Sequence, residues 1–198
     1  MVQPNARTPG GRRAIADQDA YFTEAFDILA RDGFRELSIA TVVDRLGVTK
    51  GSFYHHFKNW DDFVWRLLAR WEQEQTDRIM DLTFQTPDPI ERLHVLKKHA
   101  AELPHATESA LRAWSQSSAT VESAMSRIDR RRHAFISGVC GDYVGDPSRG
   151  DVLATTLLAL TIGLQSMSRT ATAEEFFALY TIVDTAMDVE RGVYTATS

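Results

Sequence analysis

Residues 46–59 read Leu46-Gly47-Val48-Thr49-Lys50-Gly51-Ser52-Phe53-Tyr54-His55-His56-Phe57-Lys58-Asn59. Thr49 is a good N-cap, and the residues after it predict a short helix ending near Phe57. Phe53 and Phe57 stand four apart and share one side of that helix, which is therefore the buried side. Gly51, Tyr54, His55 and Lys58 fall on the opposite side, and Ser52 and His56 flank the core from the other edge. No carboxylate occurs between Thr49 and Lys58. Just upstream, Ser38 can cap a helix in which Ile39, Val42, Val43 and Leu46 form one apolar face, and Gly47 ends it after about two turns. Two short helices separated by a tight turn at glycine have helix-turn-helix spacing.

An outward face of glycine, aromatic, imidazole and ammonium groups suits entry into a groove of DNA. Gly51 allows close backbone approach, and the Ser52 and Tyr54 hydroxyls can bond phosphate oxygens. Lys50, in the first turn, can reach a guanine edge. The helix N-terminus adds partial positive charge toward phosphate. The competing reading is two short packing helices with a polar surface.

Working outward, residues 1–16 are rich in Pro, Gly, Asn and Arg without an apolar period, and a flexible basic arm is expected there. From Asp17, the spacing of Phe22, Ala25, Phe26 and Leu29 predicts a first helix, closed by a left-handed cap at Gly33. Asn59 can cap a long helix running through Phe63, Leu67, Leu68 and Trp71 toward Leu82, and Thr86-Pro87-Asp88-Pro89 breaks it. Further helices carry Ile90, Leu93 and Leu96, then Ala110, Leu111 and Trp114, then Val121 through Ile128 to Phe135. A loop is expected over 141–150, and final helices over about 151–168 and 173–190. No stretch shows a bounded β-period, so the fold class is all-α.

The 198 residues are 43% hydrophobic and 25% charged, an ordinary globular composition that argues against disorder as the main state. Cys140 is the only cysteine, which excludes an intrachain disulfide scaffold. The most apolar stretch, Val152 to Leu164, is too short for a membrane span. The opening Met-Val-Gln-Pro-Asn-Ala-Arg lacks the apolar run of a secretory leader, so a cytoplasmic location is the expectation. A net charge of −5 argues at face value against a nucleic-acid partner. Residues 1–60, however, hold eight Lys and Arg against seven acids, and the rest of the chain holds fourteen against twenty. The acidity belongs to the larger C-terminal part.

Residues 46–59 resemble the signature of the tetracycline-repressor (TetR) family of transcriptional regulators. Ala25, Leu29 and Gly33-Phe34, with Ser38 and Val42, are similar to that family's first two helices, and the likeness is strong over about 17–63. The resemblance implies an N-terminal three-helix helix-turn-helix DNA-binding domain (17–62) after the arm (1–16). A C-terminal helical-bundle ligand-binding and dimerisation domain (63–198) follows. It implies a dimeric repressor on a roughly palindromic operator, with one recognition helix per half-site. Carried over by position, Thr49, Lys50, Gly51, Ser52, Tyr54, His55, His56 and Lys58 would contact bases and phosphates, and Ser38 and Thr41 would add backbone contacts. One departure is Trp60, where many members carry a second lysine; a phosphate contact is expected to be lost, with Trp60 packing or lying against the sugar backbone. Arg112-Ala113-Trp114 with Asp129, Arg132 and Phe135 resembles a stretch in some branches but assigns no ligand.

In the larger domain, Trp71, Phe84, His99, Trp114 and Gln165 are odd in size or polarity and are candidates for lining an effector site, against the plainer reading of core. His94, His99 and His105 do not share one helix face, so no metal is expected and the three are read as exposed or capping. No cofactor is implied. His133 lies two turns before Cys140 on one face, but no third group completes an enzyme's nucleophile and base, so the chain is not read as an enzyme. The last two helices are apolar around much of their circumference, and a partner chain is a natural cover for the second face. Packing both faces within one bundle is the alternative. A C-terminal domain that only dimerises or binds a protein, with no small-molecule effector, also remains open.

Overall fold

The computed structural model describes residues 17–167 and 171–191, and the basic-arm reading of 1–16 lies outside them. Ten α-helices succeed one another, with no strand among the described residues: α1 (Gln18–Asp32), α2 (Ile39–Arg45), α3 (Lys50–His56), α4 (Trp60–Glu72), α5 (Arg78–Phe84), α6 (Pro89–Ala101), α7 (His105–Ser115), α8 (Ala119–Val144), α9 (Pro147–Gln165) and α10 (Ala173–Glu190).

The caps read from the sequence are in place. Ser38 Oγ accepts from the Thr41 N–H, Thr49 Oγ1 from Ser52 and Asn59 Oδ1 from Asp62. Each satisfies an N–H that the first turn of a helix leaves without a backbone partner. Gly33 closes α1 at φ +82° and ψ 172°, a positive φ that favours glycine though outside the αL well, and a short 3-10 turn over Phe34–Glu36 follows. Gly47, at φ +64°, makes the tight turn between α2 and α3, which a side chain at that position would strain.

Two expectations need correction. The long helix after Asn59 is not uniform: Gln73–Asp77 form a π-turn between α4 and α5. The loop expected over 141–150 is only Gly145 and Asp146. Gly141, Asp142 and Tyr143 continue α8, and Pro147, as the first residue of α9, fits a helix start where its missing N–H costs nothing. Gly and Asp there looked like loop composition, but Gly141 and Gly150 are the point where α8 and α9 meet. A Cβ on Gly150 would lie 2.2 Å from the Ser137 carbonyl oxygen and 2.9 Å from the Gly141 nitrogen. Gly150→Ala is therefore expected to force the two backbones apart, lowering stability by roughly 1–3 kcal/mol in urea unfolding.

The core has two parts. One gathers α1–α4 with Leu111 of α7 and Val121, Met125 and Ile128 of α8. The other joins α6, the C-terminal half of α8, α9 and α10. Phe26 meets Trp71 at 5.4 Å between ring centroids, and Phe34 stacks on Trp114 at 6.4 Å, so α1 and its following turn rest on both α4 and α7. No helix among the described residues is long and apolar enough to cross a membrane.

Candidate nucleic-acid interface and effector cavity

Helix α3 is held by its inner face. Phe53 and Phe57 are 0% and 1% exposed and pack on Phe63, at 5.3 and 4.9 Å between ring centroids. Tyr21 of α1, fully buried, meets both rings edge-on at 5.9 and 5.5 Å. Its hydroxyl donates to Ser52 Oγ at 2.8 Å. This residue was missed in the sequence, although its four-residue spacing to Ala25 places it on the apolar stripe of α1. The bond fixes the rotation of α3 about its own axis, since it anchors the helix edge to a neighbouring helix.

With that rotation set, Lys50, Gly51, Tyr54, His55 and Lys58 lie exposed on the outer side. Tyr54 is 55% exposed, with its ring edge on Phe53. Ser52 and His56 sit at the margin. Ser52 accepts from Tyr21 and keeps its own proton to give, while His56 packs 5.5 Å from the Tyr21 ring with Nε2 buried and unpartnered. Thr49 Oγ1 is occupied as the cap, and Ser38 and Thr41 hydroxyls lie 2.9 Å apart at the start of α2. Trp60 packs on Phe63 at 5.3 Å, the packing alternative read for it. The Lys58 backbone N–H donates to Asp62, and this bond, with Arg66 beside it, holds the Asp62 carboxyl below its ordinary range. The negative charge is thus turned to the start of α4. Arg45 of α2 reaches Asp32 and Glu24 of α1, which ties the two helices from outside.

The larger part contains a buried ionic chain. Glu108 of α7 is 0% exposed and accepts from Arg132 Nη1 at 2.7 and 2.9 Å and from Arg112 Nη2 at 2.7 Å. Burial alone would push its carboxyl up, but the two guanidinium charges and their hydrogen bonds outweigh it and hold the group at about 2. Arg112 also makes a two-toothed contact with Asp129, both bonds at 2.9 Å, and donates Nε–H to Gln165 Oε1. The Gln165 amide meets His105 Nδ1 at 3.0 Å, and His105 Nε2 faces the Ala101 carbonyl at 3.2 Å. A carbonyl only accepts, so Nε2 carries the proton and Nδ1 accepts from Gln165. Burial depresses the His105 pKa, and its ring stacks on Phe176 at 3.6 Å. The exposed or capping role read for His105 is thereby corrected: it is a buried link in a polar chain.

Arg132 further donates to Thr76 Oγ1 at 3.0 Å and to the Gln75 carbonyl at 3.2 Å, both in the π-turn. Arg127 and Arg131 of α8 grip Glu72 at the end of α4 at 2.6 Å each, and Arg131 reaches Asp77 at 2.7 Å. Three arginines of one helix therefore clamp the junction of α4 and α5.

Beside the clamp lies an apolar cavity of about 70 Å³, walled by Thr76, Met80, Leu96, Phe135, Leu157 and Tyr180 among others. None of the five effector-site candidates borders it. Trp71 is core, 1% exposed against Phe26; Phe84 is 77% exposed at the end of α5. His99 lies near Glu102 on the surface, and Trp114 stacks on Phe34. Gln165 belongs to the buried polar chain and faces two wider clefts beside α7. Size and polarity marked these residues in the sequence, but the cavity is walled mostly by ordinary aliphatic and aromatic side chains, with Gln75, Thr76, Lys97 and Arg132 among its polar members. Cys140 and His133 are not brought together. The thiol is fully buried and pushed up to about 12 by that burial, whereas His133 Nε2 meets Thr155 on the surface.

These features define an all-helical protein in which a helix-turn-helix unit is welded to a larger helical bundle with its own cavity. Residues 22–65 match the family described as bacterial regulatory proteins, tetR family. The HTH-type transcriptional repressor KstR2 of Mycobacterium tuberculosis is 32% identical over 69 residues, a stretch that is 35% of this chain and 34% of the repressor. The match thus spans about a third of that relative's length. Among solved structures, a TetR transcription regulator from Haloarcula marismortui superposes with TM-score 0.71 at 16% identity, covering 86% of this chain and 97% of its own. A TetR-family transcriptional regulator from Streptomyces coelicolor gives 0.73 at 12% identity, over 88% and 95%. The family match is confined to residues 22–65, and the solved structures share the fold of most of the chain.

Proposed function

We propose that the protein is a transcriptional repressor that binds a palindromic operator as a homodimer and is released by a small-molecule effector. Residues 17–62 are the reader, and 63–198 hold the effector and the partner subunit. The observation that carries the DNA-binding reading is the two-sided build of α3. Its inner aromatics are locked by Phe63 and Tyr21, and its outer side offers Lys50, Gly51, Tyr54, His55 and Lys58 without a carboxylate.

In this reading Lys50 faces base edges, Tyr54 and Lys58 hold phosphates, and Ser38 and Thr41 touch the backbone of the same half-site. Lys58→Ala and Tyr54→Phe are expected to weaken binding evenly across sequences, and Lys58→Ala to reduce the salt slope by about one. Lys50→Ala is expected to relax discrimination at one position by about 1–3 kcal/mol. Band-shift titrations at several salt concentrations, on the operator and on a scrambled duplex, check all three. An unchanged operator preference in Lys50→Ala would remove it as a base reader.

The dimer reading is supported by the outer faces of α9 and α10. Val152, Ala159 and Gly163 on one and Ala178, Ile182 and Val189 on the other are exposed. No exposed position of α9 beyond Asp151 carries a charge, nor does any of α10 from Ala178 to Val189. A second copy related by a two-fold axis would cover such a face and match the symmetry of a palindrome. The effector reading is supported by the cavity's position. Thr76 and Gln75 belong both to its wall and to the turn through which α4 leaves the reader, so filling it biases the seat of α4. The alternative, a C-terminal domain with no small-molecule effector, would be favoured if no compound changed operator affinity.

A further inference from the structure

The walls of the cavity also specify what kind of molecule fits, and this step rests on the reading of the cavity as the effector site. Two cations border it, Arg132 and Lys97. Neither charge is free: each nitrogen of Arg132 donates, to Glu108, Thr76 or the Gln75 carbonyl, and Lys97 is paired with Asp184 of α10. An incoming carboxylate would have to displace a buried anion from its partner, and an incoming ammonium would lie beside two like charges. Both exchanges are unfavourable where water cannot compensate.

The polar groups left over are uncharged: the Gln75 amide, the Thr76 hydroxyl, which accepts from Arg132 and keeps its own proton, and the Thr161–Tyr180 pair. Thr161 Oγ1 donates to the Leu157 carbonyl at 2.8 Å, so the 2.8 Å contact with Tyr180 is made by the tyrosine's proton, and Tyr180 Oη keeps only lone pairs. Beyond these groups and the two paired cations the wall is aliphatic and aromatic. We propose that the cavity takes a small, uncharged, predominantly apolar molecule carrying a hydroxyl group, which can donate to Tyr180 Oη and accept from Thr76 or Gln75.

At about 70 Å³ the cavity is smaller than the ~150 Å³ that holds a benzene ring, so such a molecule enters by displacing the wall. Met80, with its flexible thioether chain, is the wall residue that adapts with least strain.

The test is a matched series on one ring: cyclohexanol, cyclohexanecarboxylate and cyclohexylamine, each titrated calorimetrically into the full chain at pH 7 without DNA. The alcohol is expected to bind at least tenfold more tightly than either charged analogue. Asp184→Asn, which frees Lys97, is expected to strengthen carboxylate binding at least tenfold; if that variant does not fold, the wild-type series alone decides. Equal or tighter binding of the carboxylate or the amine, or no binding by any of the three, would overturn the proposal. Band shifts on the same preparation separate the two readings, since loss of DNA binding with alcohol selectivity intact would count against the repressor and not against the cavity's preference.

Discussion

Glu108→Gln is expected to lower the unfolding free energy by about 3–5 kcal/mol, the usual cost of breaking one side of a buried ion pair. The amide keeps the shape but removes the charge that Arg132 and Arg112 share, leaving the buried Arg132 without a counterion while Arg112 keeps Asp129. The same group governs acid stability. Its folded pKa of about 2 lies below the ordinary value of 4.5, so the unfolded chain binds its proton first as pH falls. The stabilisation is complete above about pH 4.5 and is lost as pH drops toward 2. His105, also depressed on folding, adds a shallower loss that begins below about 6.5. Urea midpoints measured from pH 7 to 3 should therefore fall steeply in wild type. In Glu108→Gln they should start low and fall less between pH 4.5 and 3. Parallel curves for the two proteins would show that Glu108 does not carry the acid sensitivity.

Ile182→Glu combined with Ala159→Glu is expected to turn the dimer into a monomer and to cut operator affinity by about a hundredfold or more. Ile182 is 67% exposed in the single chain, so its replacement leaves the fold of one subunit intact. At a two-fold interface each substitution occurs twice, and like charges brought together cost several kcal/mol, with every 1.4 kcal/mol worth a factor of ten. Sedimentation should show half the wild-type mass at micromolar concentration, with the helical circular dichroism signal unchanged. A variant that remained dimeric would place the seam elsewhere on the molecule.

The reader was legible because its physics is local. Caps at Ser38, Thr49 and Asn59, a turn glycine at 47 and a four-residue aromatic pair each act within one or two turns of chain. All five are found as the sequence indicates. What could not be read was whatever depends on partners far along the chain. Tyr21 reaches Ser52 across 31 positions, Arg132 meets Thr76 across 56, and Gln165 finds His105 across 60. Arg132 falls four residues after Ile128, on the buried stripe of α8, but nothing in that spacing names Glu108, 24 positions away, as its partner. The 141–150 region misled for a related reason: its glycines permit a close helix crossing, which resembles loop composition until the second helix is in place. The cavity was illegible because it is a space left between five helices and the π-turn, and spaces have no residues of their own.

The net charge, which set the whole chain against a nucleic-acid partner, is distributed so that the outer side of α3 carries none of the acid. Asp62 is turned into the start of α4, and Glu72 and Glu108 are consumed by arginines of α7 and α8. The central claim is that this side reads DNA as a pair. Selection of bound sequences from a random duplex pool by the purified full chain addresses it most directly. Enrichment of an inverted repeat, its half-sites about one helical turn or ~34–36 Å apart, is the expected result. A pool that stayed random through successive rounds, or that yielded only single unpaired half-sites, would contradict it.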